Sequence, residues 1–309
     1  EAMRQPRNWE AGTREQPVEY LVGDFVQHGG KEYQCLQAHS GKGDPNWAPQ
    51  IALSLWAPDA STPSSPPSQG MEPVPGVPSS TPPVAEPVTS LEQLDKRSLV
   101  IGFYNWTWGG VAVQPQNTTM SVAFSGWADV DRALEESRSV CERLQGVKYL
   151  SLGGGNENGR LTKARLDKLN RAISAGLLRD YGGVCFDIEE GDAGMGAAYS
   201  ESFQVARAAG LRVLVTISHS APYGVPDKVD LMREFLQHDS IDLISPQLYT
   251  SGTEVSNDYA WDGVPWTAYA NCKPAVVPSI VRAGMFQDAQ TVFAGHGVQL
   301  QGFVQWAQQ

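Results

Sequence analysis

The sequence predicts an α/β protein: a compact (β/α)8 barrel over residues 96–309, preceded by a small all-β module over residues 1–57 and a spacer over residues 58–95. Three observations carry that expectation. From Leu99 onward, eight short apolar runs are mostly separated by helix-length amphipathic stretches, the pattern of a parallel sheet whose strand count suggests closure. Ten prolines fall between Pro58 and Pro87. Ahead of them, strand-sized pieces are broken every few residues by Gly and Pro.

In the first segment the strand-like pieces are Val18–Val22, Phe25–Gln27 and Glu32–Leu36, and Trp9, Tyr20, Tyr33, Trp47 and Trp56 make it rich in aromatics. It is too small to do much chemistry. The succession Gly23-Asp24-Phe25-Val26, Tyr33-Gln34-Cys35-Leu36-Gln37-Ala38-His39, Trp47-Ala48-Pro49 and Ala52-Leu53-Ser54-Leu55-Trp56 resembles the chitin-binding modules of carbohydrate-binding family 5/12 in order and spacing. The resemblance covers nearly the whole segment. It implies that Trp47, set among polar loop residues, stacks on N-acetylglucosamine rings, with Tyr33 and Trp56 nearby. For each aromatic the competing reading is a core residue of a tiny β fold.

The prolines that follow are interleaved with Ser, Thr, Gly and Val. Such a stretch cannot bury enough apolar surface to offset its ordering entropy, so an extended, semi-rigid spacer is expected. Tethering a binder to a second domain raises that domain's local concentration on an insoluble polymer.

The candidate strands of the barrel are Leu99–Tyr104, Met120–Phe124, Val147–Leu152, Gly183–Glu189, Leu211–Ile217, Ile241–Tyr249, Ala275–Ile280 and Gly302–Trp306. Helical patterns cover Ala128–Leu144, Leu161–Leu178, Ala197–Ala209, Lys228–His238 and Met285–Ala294. This is a TIM-type barrel below the typical length of about 250 residues. No helical pattern follows Trp306, three residues before the end of the sequence. In such a barrel the active site lies at the C-terminal ends of the strands. Those ends bring Tyr104, Phe124, Gly153-Gly154, Asp187 and Glu189, Gln247 to Tyr249, and Trp306 to one mouth, a mixture of aromatics, amides and carboxylates suited to a sugar.

Composition narrows the partner. With 23 Lys+Arg against 34 Asp+Glu the net charge is −11, the wrong sign for a nonspecific nucleic-acid or anionic-membrane binder. A neutral, polar partner fits at least as well. Apolar runs stay far below the ~20 residues of a membrane span. The four cysteines are too far apart in sequence for a zinc knuckle, and the five histidines form no H-E-x-x-H pattern, so neither metal nor cofactor is expected. A glycine run at Gly153–Gly155 lacks the G-x-G-x-x-G spacing and any P-loop lysine, and no G-x-S-x-G occurs. A monomer is expected.

The stretch that organises the rest is Gly183-Val184-Cys185-Phe186-Asp187-Ile188-Glu189. Alternation along a strand puts Val184, Phe186 and Ile188 on one face and Cys185, Asp187 and Glu189 on the other. Two acids so close repel as anions, which raises the pKa of one and leaves it a proton to donate near neutral pH.

Phe186-Asp187-Ile188-Glu189 resembles the end of the D-x-x-D-x-D-x-E signature of glycoside hydrolase family 18, the chitinases. Lys148 through Gly155 looks like that family's S-x-G-G strand, and Gln247-Leu248-Tyr249 like the Q-x-Y of its plant-type, hevamine-like branch. Thr216 through Pro222 and Trp306 fall where that branch has them, so the resemblance spans about residues 98 to 307. It implies a substrate-assisted reaction, an exception to the two-carboxylate scheme of most glycosidases. Glu189 would be the general acid and base, Asp187 would orient the acetamide, and Tyr249 would stabilise it. Gln247, Trp306 and Tyr104 would line the same sugar subsite. One departure stands out: the family's first two signature aspartates fall on Gly182 and Cys185. Without the middle one Asp187 loses a like-charged neighbour, which implies slower turnover and a shifted pH profile rather than a dead enzyme.

The expected function is therefore a secreted chitinase acting on chitin and N-acetylchitooligosaccharides. A chitinase-like lectin that binds N-acetylglucosamine polymers without cutting them is the alternative. Such lectins typically lack the acid that Glu189 supplies.

Overall fold

The protein was analysed as a computed structural model that describes residues 6–58 and 99–309. Beyond Pro58, the expected spacer lies outside the described residues.

In the N-terminal module, strands β1 (Arg7–Asn8), β3 (Phe25–His28), β4 (Lys31–Cys35) and β6 (Trp56–Pro58) form one sheet. Strands β2 (Val18–Tyr20) and β5 (His39–Gly41) form a second. A module this small has room for one compact core, and Tyr20, Val26, Tyr33, Cys35, Ala52 and Trp56 fill it. Tyr20 and Trp56 meet edge to face with centroids 5.0 Å apart.

The second region is a closed barrel. Its strands are β7 (Val100–Trp106), β8 (Met120–Phe124), β9 (Val147–Gly153), β10 (Gly183–Ile188), β11 (Arg212–Ser218) and β12 (Leu243–Gln247). The pair β13 (Ala275–Val276) and β14 (Ser279–Ile280) occupies the seventh place and β15 (Gly302–Gln305) the eighth. Every neighbouring pair is parallel, and the pairing of β15 with β7 closes the ring. The seventh strand was expected as one run. It is interrupted at Val277-Pro278, where proline brings no N–H to the ladder.

Each strand divides its side chains between two cores. Val184, Phe186 and Ile188 of β10 face outward into the large layer between strands and helices. There Phe186 meets the helical Phe203 edge to face, centroids 4.9 Å apart. Cys185 faces inward with Tyr104, Met120, Val122, Tyr149, Leu214 and Val304, so side chains fill the barrel axis. The five expected helices are Val130–Cys141, Lys163–Ser174, Gly196–Ala208, Lys228–Phe235 and Phe286–Gly295. Side-chain caps set two of their starts: Asp129 accepts from Arg132 N and Thr162 from Arg165 N. Lys168 ties the first pair together by reaching Asp129 and Asp131 at the neighbouring N-terminus.

Candidate active site

Because the outward face of β10 is committed to the helix layer, its inward face carries Asp187 into the barrel, and Glu189 follows one residue past the strand end. Asp187 is only 2% exposed. Parallel register sets Thr216 of β11 directly beside it, and the Thr216 hydroxyl donates to Asp187 Oδ1 at 2.8 Å. Gln247 at the end of β12 donates Nε2–H to the same oxygen at 3.3 Å. Burial outweighs these two bonds and pushes the Asp187 carboxyl up to about 7. Burial also raises Glu189, with the Asp187 charge second, and holds its carboxyl well above the usual carboxylate range. The pair thus retains protons at a pH where ordinary carboxylates have lost them.

The end of β9 makes room for both acids. Gly153 has φ +107°, and a Cβ there would overlap the Asp187 carbonyl. A Cβ at Gly155 would overlap Glu189 Oε2, with the Trp47 ring 3.6 Å away. Gly155→Ala therefore leaves the backbone unstrained but displaces the carboxylate. Displacements of a catalytic group near 1 Å cost about 10²-fold, so if this carboxyl is a catalytic acid kcat is expected to fall by about that factor with the melting temperature unchanged, checked by activity assay and thermal unfolding.

Opposite the acids, Trp306 is half-buried within a group of rings. Tyr104 and Phe124 meet it edge to face at 5.2 Å, and Tyr249 lies nearly parallel to it at 6.0 Å. The Tyr104 hydroxyl and Ser279 Oγ are 2.6 Å apart, which fixes that ring across the barrel mouth. Burial holds the Tyr249 phenol above its ordinary pKa, so it stays a hydrogen-bond donor.

Asp187, Glu189, Gln247, Tyr249, Trp306, Tyr104 and Trp47 line a single cleft that opens to solvent. The structure does not bring Tyr33 and Trp56 to it. Tyr33 is 5% and Trp56 1% exposed, both in the module core, and Trp56 Nε1 donates to the Trp47 carbonyl at 3.0 Å. A ring packed on both faces has none left for a sugar, so the binding role expected of these two is corrected to core packing.

Sequence reasoning did not single out Trp108, Asn46 or a neighbour, Glu190. Trp108 joins the expected Phe124 in the aromatic wall, and Asn46 reaches the cleft from the module. The Trp108 indole N–H has no partner among the described residues, a donor a sugar hydroxyl could satisfy. The paired tryptophans Trp106 and Trp108 just past a strand end were the available signal. Glu190, beside the cleft, accepts from Tyr223 at 2.7 Å and pairs with Lys42 of the module at 3.1 Å. Nothing local in the sequence announces that ion pair, because its partners are 148 positions apart.

Cys185 is buried, and its Sγ lies 4.0 Å from Thr216 Oγ1. Burial pushes its thiol pKa up, so it remains neutral. Beside it the buried Ser151 hydroxyl has no hydrogen-bond partner among the described residues.

Residues 8–57 match carbohydrate-binding module family 5/12. No curated protein sequence matches the chain. Among solved structures, the chain is similar to a family GH18 chitinase from Chromobacterium violaceum, with TM-score 0.42, 15% identity, and coverage of 98% of this chain and 94% of that one. It is also similar to a second chitinase from Chromobacterium violaceum, ATCC 12472, with TM-score 0.37, 12% identity, and 64% and 77% coverage. An immunomodulatory active chitinase from Trichuris suis gives TM-score 0.38, 14% identity, and 59% and 66% coverage. All three scores fall below 0.5, and the closed barrel stands on its own strand pairing.

Proposed function

We propose that the protein is a secreted chitinase that hydrolyses β-1,4 bonds between N-acetylglucosamine units with retention, using the substrate's own acetamide as nucleophile. The observation that carries this reading is the convergence of two carboxyls of raised proton affinity, Asp187 and Glu189, with Tyr249 and Trp306 in one cleft. A family 5/12 module on the same chain supports the polymer as substrate.

In this mechanism the acetamide oxygen attacks the anomeric carbon while Glu189 passes its proton to the bridging oxygen. The glycosidic bond breaks, the leaving sugar departs with that proton, and a cyclic oxazolinium remains. Asp187 accepts the acetamide N–H and balances the positive charge. The Tyr249 hydroxyl donates to the acetamide oxygen, and Gln247 shapes the pocket and holds Asp187. Water then attacks the anomeric carbon as Glu189 takes its proton, which returns the site to its starting state. Trp306 is the apolar floor beneath the reacting sugar, with Tyr104 at its edge.

The test is hydrolysis of soluble N-acetylchitotetraose followed by NMR. The expected product is the β-anomer, and the fully deacetylated tetramer is expected to resist because it has no internal nucleophile. Cleavage of both oligomers at equal rates would sink the mechanism. Binding with no cleavage would favour a second reading, a chitin-binding lectin, which the loss of the middle aspartate at Cys185 also favours.

Cys185→Asp places a carboxyl within reach of Thr216 and the unpartnered Ser151 hydroxyl. A like charge beside Asp187 raises its proton affinity further. The expected outcome is a faster enzyme with its pH–rate profile shifted upward. An unchanged rate and profile would remove this account of the position.

A further inference from the structure

The module and the barrel are not separate sites in this structure. Strand β5 of the module lies beside the turn Glu157–Gly159 that follows β9. The Gln37 amide packs against Gly126, where a Cβ would overlap it. Lys42 Nζ pairs with Glu190, only 9% exposed at its side chain, and the Tyr223 hydroxyl bonds the other oxygen of that carboxylate. These contacts set the turn Pro45–Trp47 over the end of β9, and Trp47 is half-buried against Gly155 rather than open to solvent.

The position of Trp47 relative to the acid is informative. Trp306 and Tyr104 come from β15 and β7 and Tyr249 follows β12, whereas Gly155 and Glu189 follow β9 and β10. The two groups face each other across the ring. Trp47 makes no ring contact with the Trp306 group. Among the described residues its one ring contact is with His39 of its own module, at 5.8 Å. The cleft thus has two aromatic surfaces, and Gly155 brings Glu189 and Trp47 together on one of its sides. An acid that protonates a bridging oxygen must sit between the two sugars that the oxygen joins. With the acetamide pocket on the Trp306 side, the other surface faces the departing sugar.

We propose that Trp47 of the N-terminal module is the platform for the sugar on the leaving-group side of Glu189, so that module and barrel grip one polymer chain together. This rests on the chitinase reading above and assigns one of its subsites to a residue outside the barrel. The module lines the cleft and leaves it open, so it acts as a wall and not as a plug. Asn46 beside Trp47 adds an amide to the same wall.

The test uses the full chain and soluble N-acetylchitotetraose, for which tethering to an insoluble surface is irrelevant. Loss of one aromatic platform is expected to raise KM about tenfold in Trp47→Ala, with Trp47→Tyr restoring most of it. The hydrogen bond from Trp56 reaches the Trp47 backbone carbonyl, so the substitution keeps that module contact. Lys42→Glu, which sets like charges against each other at Glu190, should undock the module and raise KM similarly with Trp47 intact. Constants unchanged in both Trp47→Ala and Lys42→Glu overturn the proposal, and so does a rise in kcat/KM in either, which would make the module a lid. If the wild-type chain cleaves nothing, the chitinase reading fails by itself. The platform is then judged by calorimetric Kd for the same tetramer: about tenfold weaker binding in Trp47→Ala supports it, and no change overturns it.

Discussion

Glu189→Gln is expected to abolish sugar release from N-acetylchitotetraose, lowering kcat by roughly 10²–10⁴-fold, the usual worth of a positioned general acid–base group. The amide keeps the shape of the carboxyl but has no proton to give to the bridging oxygen and cannot take one from water. Binding should survive, because Trp306, Tyr249 and Asp187 are untouched and a neutral carboxyl is replaced by a neutral amide. A Kd for the tetramer within about threefold of wild type, measured calorimetrically, together with loss of turnover, is the expected pair of results. Residual turnover within tenfold of wild type would instead move the proton donor to another group, and Asp187 is the remaining carboxyl lining the cleft. Wild type and variant should unfold at similar temperatures only below the ordinary carboxylate range; above it the variant should melt higher, because burial makes ionised Glu189 costly in the folded state but not in the unfolded chain.

Most of the barrel was legible because its physics is local. Strands buried on both faces read as continuous apolar runs, and each observed strand overlaps the run expected for it. Helix boundaries moved inward by one to four residues at most ends, as at Val130–Cys141, where the Asp129 cap and not the apolar pattern sets the start. The acids were legible for the same reason: Asp187 and Glu189 sit on the face that alternation leaves over once Val184, Phe186 and Ile188 are committed outward. What escaped was long-range. No periodicity tells that Lys42 meets Glu190 or that Gln37 fills the notch at Gly126. Of the three module aromatics, Trp47 was set apart in the sequence by its polar loop, and packing buries Tyr33 and Trp56 while leaving Trp47 half-buried. Asp187 was expected to hold its proton less tightly than it would beside an aspartate at position 185; burial, which strand alternation does not reveal, still raises its carboxyl above the free value.

Asp187→Asn is the second large effect, and it should split function from stability. In the proposed mechanism Asp187 is the anion that balances the oxazolinium and Glu189 the general acid, so the substitution is expected to lower kcat by about 10²-fold, comparable with removing one preorganised electrostatic partner elsewhere. The pH profile supplies the sign. The Asp187 charge raises the Glu189 carboxyl, so its removal lowers the pKa of the general acid, and the alkaline limb of kcat should move to lower pH. Stability should move the other way. A carboxyl raised to about 7 by burial binds its proton in the folded state and releases it when unfolded, so the folded protein loses stability as pH rises from the ordinary carboxylate range through 7. Asn cannot ionise, and its side-chain oxygen can still accept from Thr216 and Gln247. The variant should therefore melt close to wild type only below about pH 4 and clearly above it at pH 8, a gap that widens up to about pH 7 and amounts to a few kcal/mol at most. A gap that is constant across that range would mean Asp187 is ionised in the folded protein throughout. The proton held between the two acids would then reside on Glu189 alone.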